Sequence, residues 1–310
     1  MIAHDSDWDE LQAIPITLPG GYWDAEGNLH REAVIRPIIG REEEFVAERI
    51  GSFPIPMLVT RLISRCVLGL GSFAPLTPNL ARNLLVADRD YLLLMLRQLT
   101  FDKHIQAVLD CPACHEKMDL DFDIDQVFVE QRIPPVLGTT MELSPATTYR
   151  DQQGKEQRHV EFRLPTGGDQ EMIARLGLVD KDRAADLLFE RCVTRLGDAE
   201  QVDRAAISAL NPLARVEIES RMEQVSPLVD LEMDIHCPQC GHVFVQYFDF
   251  AAFFLMEIRQ RRGQLYREVH YLALHYHWPE SEILALTRTK RRAYLDLLYQ
   301  SQSTGMSTRN

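Results

Sequence analysis

The stretch Ile105-Gln106-Ala107-Val108-Leu109-Asp110-Cys111-Pro112-Ala113-Cys114 has an echo 126 residues on, Leu231-Glu232-Met233-Asp234-Ile235-His236-Cys237-Pro238-Gln239-Cys240. Apolar residues recur at every second position up to the first cysteine, Ile105, Ala107 and Leu109 in one and Leu231, Met233 and Ile235 in the other, the period of a half-buried strand. After the first motif Met118, Leu120, Phe122 and Ile124 alternate with Asp119, Asp121, Asp123 and Asp125. Each Cys-Pro-x-Cys therefore falls on a tight turn between two strands. That is a zinc-knuckle arrangement, in which two thiolates and the turn's N–H groups face one ion.

The same offset relates the remaining cysteines, Cys66 and Cys192. Neighbours agree: Arg65-Cys66-Val67 with Arg191-Cys192-Val193, Leu70-Gly71 with Leu196-Gly197, Phe122-Asp123 with Phe248-Asp249. Leu62 maps to Leu188, Arg49 to Arg175 and Val34 to Val160. This is an internal repeat at one gapless offset. The expected fold class is α+β: an internally duplicated unit of β-hairpin, helices and zinc-knuckle hairpin, related by a pseudo-twofold, then a C-terminal helical segment. The boundaries that follow are 1–130, 131–250 and 251–310.

Within each unit the hairpin comes first. Ala13 to Leu18 and Leu29 to Pro37 flank the turn Asp24-Ala25-Glu26-Gly27-Asn28. Thr140 to Leu143 and Arg158 to Leu164 flank Asp151-Gln152-Gln153-Gly154. The spacing then predicts helices over Glu42 to Ile50 and Gly168 to Leu176, Leu58 to Leu70 and Ala184 to Leu196, and Asp88 to Leu99 and Leu213 to Met222. Asp88 reads as an N-cap. Beyond Ala251 the pattern predicts helices over Phe253 to Arg262, Leu265 to Tyr276 and Glu280 to Tyr299, with a break at Gly263 and Pro279 in a first turn. The tail from Ser301 is small and polar and reads as disordered.

Two knuckles supply four thiolates, Cys111, Cys114, Cys237 and Cys240. A closed set of four sulfurs at roughly 2.3 Å leaves no position for a reacting water, so the expected ion is one structural zinc. Ribbons usually place their two motifs roughly 15–20 residues apart. Here 122 residues separate Cys114 from Cys237, and the repeat accounts for that gap by having each half contribute one knuckle. Binding of a structural zinc is worth about 10–16 kcal/mol, comparable to or above the net stability of most domains. Two alternatives stand beside it: turns with free thiols, and redox-active pairs. Redox pairs want a helix N-terminus to lower a thiol pKa, and these motifs lie between strands. His115, His236 and His242 flank the knuckles, but four sulfurs already satisfy the ion. Cys66 and Cys192 lie in apolar stretches and read as packing residues.

The chain has 310 residues, and its formal charge of −13 argues against binding nucleic acid or an anionic membrane through overall charge. The N-terminus lacks the basic and apolar regions of a signal peptide, and no apolar run is long enough to span a bilayer, so the expected location is the cytoplasm. Thiols there stay reduced, which favours metal over disulfides. No nucleotide-binding, nucleophile-elbow or zinc-protease motif is present, and the chain reads as a non-enzyme. The turn Thr166-Gly167-Gly168-Asp169, paired by the offset with Gly40-Arg41-Glu42-Glu43, reads as a strand-to-helix turn. The aspartate stripe reads as a solvated face or a surface for a basic partner. His270 and His277 share a helix face without an evident third ligand. Residues 256–295 hold eight Lys or Arg against four acids and resemble a helix-turn-helix at Glu280 to Leu286 and Lys290 to Leu298. The overall charge opposes DNA binding there, so docking on an acidic surface, in the chain itself or in a partner, is the more economical reading of that segment.

With these residues in view, the order Arg65-Cys66-Val67, Leu70-Gly71, Asp88-Arg89-Asp90-Tyr91-Leu92-Leu93, Cys-Pro-x-Cys and Leu164-Pro165-Thr166-Gly167-Gly168-Asp169-Gln170-Glu171 resembles the T-even-phage-type baseplate hub assembly chaperone family. The likeness extends over His275-Tyr276-His277-Trp278-Pro279-Glu280 through Leu284 and Arg291-Arg292-Ala293-Tyr294 through Leu298, roughly residues 14–300. It implies a non-enzymatic role in building the baseplate or hub of a contractile phage tail or injection system, with hub or spike proteins as partners. It brings no catalytic residues. A nucleic-acid-binding zinc protein, a Cys-x-x-Cys oxidoreductase and a structural baseplate component are the competing readings.

Overall fold

The computed structural model describes residues 12–136, 138–150, 154–198, 202 and 204–307, with side chains to residue 301. The first hairpin joins β1 (Ile14–Trp23) to β2 (Leu29–Ile35), antiparallel. Asp24 closes its turn by accepting from the N–H groups of Glu26 (3.0 Å) and Asn28 (2.7 Å), the local bond that favours aspartate there. A third strand, β3 (Val67–Leu70), completes the sheet.

Between them lie α1 (Gly40–Arg49) and α2 (Ile55–Cys66). Apolar periodicity predicts one helix through Leu70, but the helix ends at Cys66 and the chain passes directly into β3. Tertiary pairing decides this: the Arg36 N–H donates to the Cys66 carbonyl at 3.0 Å, and Val67 pairs with Ile35. Then follow α3 (Pro78–Asn83), α4 (Val86–Thr100) and the first knuckle hairpin, β4 (His104–Asp110) with β5 (Lys117–Asp123). Asp88 is not an N-cap. Leu85 holds that position, and Asp88 lies one turn in, buried, accepting from the N–H groups of Gly20 and Gly21 at 2.8 Å each. It ties helix α4 to the irregularity in β1.

A two-residue β6 (Val129–Glu130) leads to the second half. There β7 (Thr139–Glu142), β10 (His159–Phe162) and β11 (Val193–Leu196) form a sheet with β10 central, as β2 is central in the first. A minor hairpin, β8 (Tyr149–Arg150) with β9 (Glu156–Gln157), intervenes; residues 151–153 of its expected turn lie outside the described residues. Then come α5 (Gly167–Ile173), α6 (Lys181–Cys192), α7 (Arg204–Ser208), α8 (Pro212–Val225), a short β12 (Leu228–Val229) and the second knuckle hairpin, β13 (Glu232–His236) with β14 (Val243–Tyr247). Helix α6, like α2, ends at its cysteine rather than running on to Leu196. The Arg163 N–H donates to the Cys192 carbonyl at 2.9 Å.

The gapless correspondence is corrected by one residue in places. Arg163 stands where Arg36 stands, and Gly167 where Gly40 stands, a shift of 127, while Cys192 answers Cys66 at 126. The second half is therefore one residue shorter between Gly167 and Cys192 than the first is between Gly40 and Cys66.

The C-terminal segment is α9 (Phe250–Gln260), α10 (Arg262–Tyr276), α11 (Glu280–Ile283) and α12 (Arg288–Ser307). The helix break lies at Arg261, and Gly263 is helical; the stretch 280–299 forms two helices, parted after Ile283, in place of the helices read at Glu280 to Leu286 and Lys290 to Leu298. Helix α12 continues past Ser301, and 308–310 lie outside the described residues. Phe250, Phe254, Leu255 and Ile258 of α9 share one apolar cluster with Leu18, Ile35, Leu62 and Leu93 of the first half, and Leu231 and Phe248 of the second knuckle join it. A second cluster centres on Phe162, Phe189 and Ile218, and a third on Leu272, Ile283 and Leu295. No helix among the described residues is long and apolar enough to cross a membrane.

Candidate metal centre

The two knuckle turns are built alike. In the first, the Cys111 N–H donates to the Glu116 carbonyl at 2.9 Å, and the His115 N–H to the Cys111 carbonyl at 2.9 Å. In the second, the Cys237 N–H donates to the His242 carbonyl at 2.9 Å, and the Gly241 N–H to that of Cys237 at 3.0 Å. Both turns need a left-handed residue at the same place, His115 (φ 60°) and Gly241 (φ 73°).

These turns meet tip to tip. The Cys111 and Cys240 sulfurs lie 3.7 Å apart, and so do those of Cys114 and Cys237. All four sulfurs lie within 4.8 Å of one another. A tetrahedron with metal–sulfur bonds of about 2.3 Å has edges of about 3.8 Å, so both cross-pairs already stand at coordination spacing. Cys111 and Cys237 are buried, and Cys114 and Cys240 are exposed. Met118, Leu109, Ile235 and Phe244 pack around the buried pair. At the far ends of the hairpins Phe122 meets Phe248 edge-on, with centroids 5.6 Å apart, a contact worth about 0.5–1.5 kcal/mol beyond its area.

The charge balance favours a cation. The Cys114 backbone N–H, with that of Ala113, draws the Cys111 thiol down to about 6. The Glu116 N–H acts the same way on Cys114, but burial and the three neighbouring thiols outweigh it and push Cys114 up to about 12. Cys240 is also raised. Four thiolates this close repel one another unless a cation lies between them, and a soft tetrahedral set of four sulfurs suits zinc.

Other sequence candidates do not join this cluster. His115, His236 and His242 are exposed beside it, and among the described residues these four cysteines make the one grouping at metal-binding distance. Asp119 and Asp121 are exposed, and Asp123 and Asp125 pair with Lys103 at 3.1 Å. His277 caps α10 in a left-handed conformation. Cys66 and Cys192 are buried core residues, their thiols pushed up by burial to about 12 and about 11.

Sequence reasoning missed a set of buried charges. Arg291 is fully buried between Glu43 and Glu268, at 2.5 and 2.9 Å. Arg89 is buried beneath α5, donating to the Ala81 carbonyl at 2.8 Å and the Pro56 carbonyl at 2.9 Å. Asp169 holds Arg163 and Arg191, each at 2.7 Å. The signal was present for the last: Arg36 and Glu42 sit at corresponding positions and pair at 3.0 Å.

Compared with known proteins, the chain is matched by one family model, described as T4 bacteriophage base plate protein, over residues 31–255. No curated protein and no solved structure matches it.

Proposed function

This chain belongs to the T4 bacteriophage base plate protein family, and from that membership we propose that it is a non-enzymatic assembly factor, a chaperone for the baseplate or hub of a contractile tail or injection system. It binds hub or spike proteins in the cytoplasm of the cell that makes the tail. The family match, spanning both knuckles, is the observation that carries this reading.

In this reading one zinc at Cys111, Cys114, Cys237 and Cys240 clamps the two halves of a duplicated chain, with residues 1–130, 131–250 and 251–310 as its parts. The like-built turns and the equal cross-distances of 3.7 Å support it. The twofold is local to the knuckles: α5 seats on the joint between α3 and α4, whereas α1 seats on the joint between α11 and α12. The basic C-terminal stretch is partly consumed inside the molecule. Arg288 and Arg291 are buried and Arg261 pairs with Glu257 at 2.8 Å, which favours internal docking over nucleic acid.

Co-expression with the hub and spike proteins of its own tail operon is expected to yield a soluble complex. Failure to co-purify with any baseplate protein of that operon would overturn the role. Metal analysis of natively purified protein is expected to return one zinc per chain; a metal-free folded chain would sink the clamp.

A further inference from the structure

The chain turns from α1 into α2 at Gly51, which is left-handed (φ 90°), and Phe53 stands out beside that turn, 45% exposed. Two clefts open on either side of Phe53. One, of about 700 Å³, runs between the turn, the chain leaving α5 and helix α9, over Ile55, Ile173, Leu178 and Met256. The other, of about 190 Å³, lies along α1 and α2 over Phe45, Met57 and Leu58. Phe53 lines both. They make one groove, where the first half, the second half and the C-terminal segment meet.

Five arginines line this groove, Arg49, Arg61, Arg65, Arg175 and Arg259, and no carboxylate does. Arg61, Arg65, Arg175 and Arg259 are exposed and make no ion pair among the described residues. Arg49 has Glu48 at 3.5 Å, with the two side chains 41% and 44% exposed, a surface pair of little strength. Arg49 and Arg65 both stand over the Phe45 ring, 4.4 and 3.9 Å from its centroid, so one ring gathers two like charges. The carboxylates of the bordering helices are engaged elsewhere: Glu42 with Arg36, Glu171 with Arg82, and Glu257 with Arg97 and Arg261. A chain with 46 acids against 33 bases thus carries a groove from which acids are excluded.

Guanidinium forks match carboxylates two bonds at a time. Arginine beside Phe, Met and Leu is the composition of a protein interface, and complementary charge selects the partner. Leu178 and Val179, at the edge of the groove, are 87% and 88% exposed, the highest values for large apolar side chains among the described residues. Exposed apolar surface gathered in this way marks a binding face. A phosphate backbone would meet the arginines but leave the apolar floor uncovered, and the net charge of −13 repels it.

We propose that this groove is a docking site for a partner protein, and that its occupant is an acidic segment with apolar side chains between its carboxylates. The carboxylates pair with Arg61, Arg65, Arg175 and Arg259, and the apolar side chains cover Phe53, Ile173 and Met256. The proposal rests on reading the chain as a protein-binding assembly factor. Asp5, Asp7, Asp9 and Glu10 surround Trp8 in the chain's own first residues, so the test includes a chain without them.

The probe is a labelled peptide, Glu-Asp-Leu-Phe-Glu-Asp-Leu-Leu-Glu-Asp, added to the full chain, with a version carrying lysine for every acid and a short DNA duplex as controls. Saturable binding of the acidic peptide is expected, and none of the lysine version. Arg61→Glu and Arg175→Glu, one in each cleft, are each expected to weaken it roughly tenfold, the loss of one charged anchor. The same reversal at Arg221, exposed on α8 and outside both clefts, is expected to change nothing. Unchanged thermal melts of all three variants are expected, since the sites are exposed. No binding, equal binding of both peptides, or equal losses at Arg61 and Arg221 overturns the proposal. Preference for the duplex overturns it in favour of nucleic acid. Binding that appears only after residues 2–11 are removed overturns it in favour of the chain's own N-terminal segment. A chain that binds the peptide but no baseplate protein overturns the assembly role alone. A hub complex untouched by Arg61→Glu with Arg175→Glu overturns only the groove.

Discussion

Asp169 shows how one residue's charge can hold two elements in register. Burial raises its pKa, but Arg163, the Thr166 N–H and Arg191 outweigh burial and hold the carboxyl far below its ordinary 3.8. A carboxyl depressed on folding adds stability at every pH above its unfolded value, and that share is lost as pH falls toward the folded value. Urea midpoints are therefore expected to fall as pH drops below about 4, and Asp169→Asn is expected to lower the midpoint at pH 7 while flattening that slope. A slope unchanged in the variant would refute the assignment. The pairing was half legible in the sequence: an acid follows the arginine just after the strand by six residues in both halves, Glu42 after Arg36 and Asp169 after Arg163. Arg291 was not legible. Its carboxylates, Glu43 and Glu268, are distant in sequence, and a C-terminal arginine reads by default as solvated. Arg291→Ala strands two buried carboxylates and is expected to cost about 3–5 kcal/mol, measurable by chemical denaturation.

At the scale of elements, alternation located β4, β5 and β13, whose apolar residues recur with period two; β14 was expected only as the counterpart of β5, since Val243, Phe244 and Val245 run together and its exposed positions are Val243, Val245 and Tyr247. Helix ends were harder. Nothing local marks Cys66 or Cys192 as a last helical residue; the change to strand is imposed by pairing with a chain segment some thirty residues back. The strand-to-helix turns were read as simple connections, yet their first helical glycines are docking surfaces. Gly167→Ala must displace the buried Arg89 guanidinium, 2.2 Å from where the added Cβ would stand, and is expected to destabilise by about 1–3 kcal/mol. Gly154 gives the reference: it is left-handed (φ 78°), and a Cβ added there would meet nothing within 4 Å. Gly154→Ala is expected to cost about 1 kcal/mol, from backbone conformation alone. Equal losses in thermal melts would remove the special standing of Gly167.

For the whole molecule, four cysteines at a common offset were enough to foresee which side chains meet, because a closed metal set leaves few alternatives. The seating of α1 on the C-terminal helices was beyond sequence reading, since an exact repeat would send it to α7–α8. Chelation at neutral pH is expected to expose Cys111 and Cys237 to thiol reagents while Cys66 and Cys192, buried with raised thiol pKa values, stay unreactive. Labelling of all six at one rate would mean that the whole fold depends on the ion.

The apolar cluster of the first half contains Leu231, Phe248, Phe250, Phe254 and Ile258. A ribosome makes those residues last. At about 5–20 residues per second, the stretch from the first knuckle to the second takes about 6–25 s to emerge. During that time the first half holds two thiols without their partners and a core without its lid. The chain thus has a built-in delay between synthesis and completion, and any factor that shields the nascent first half acts within it.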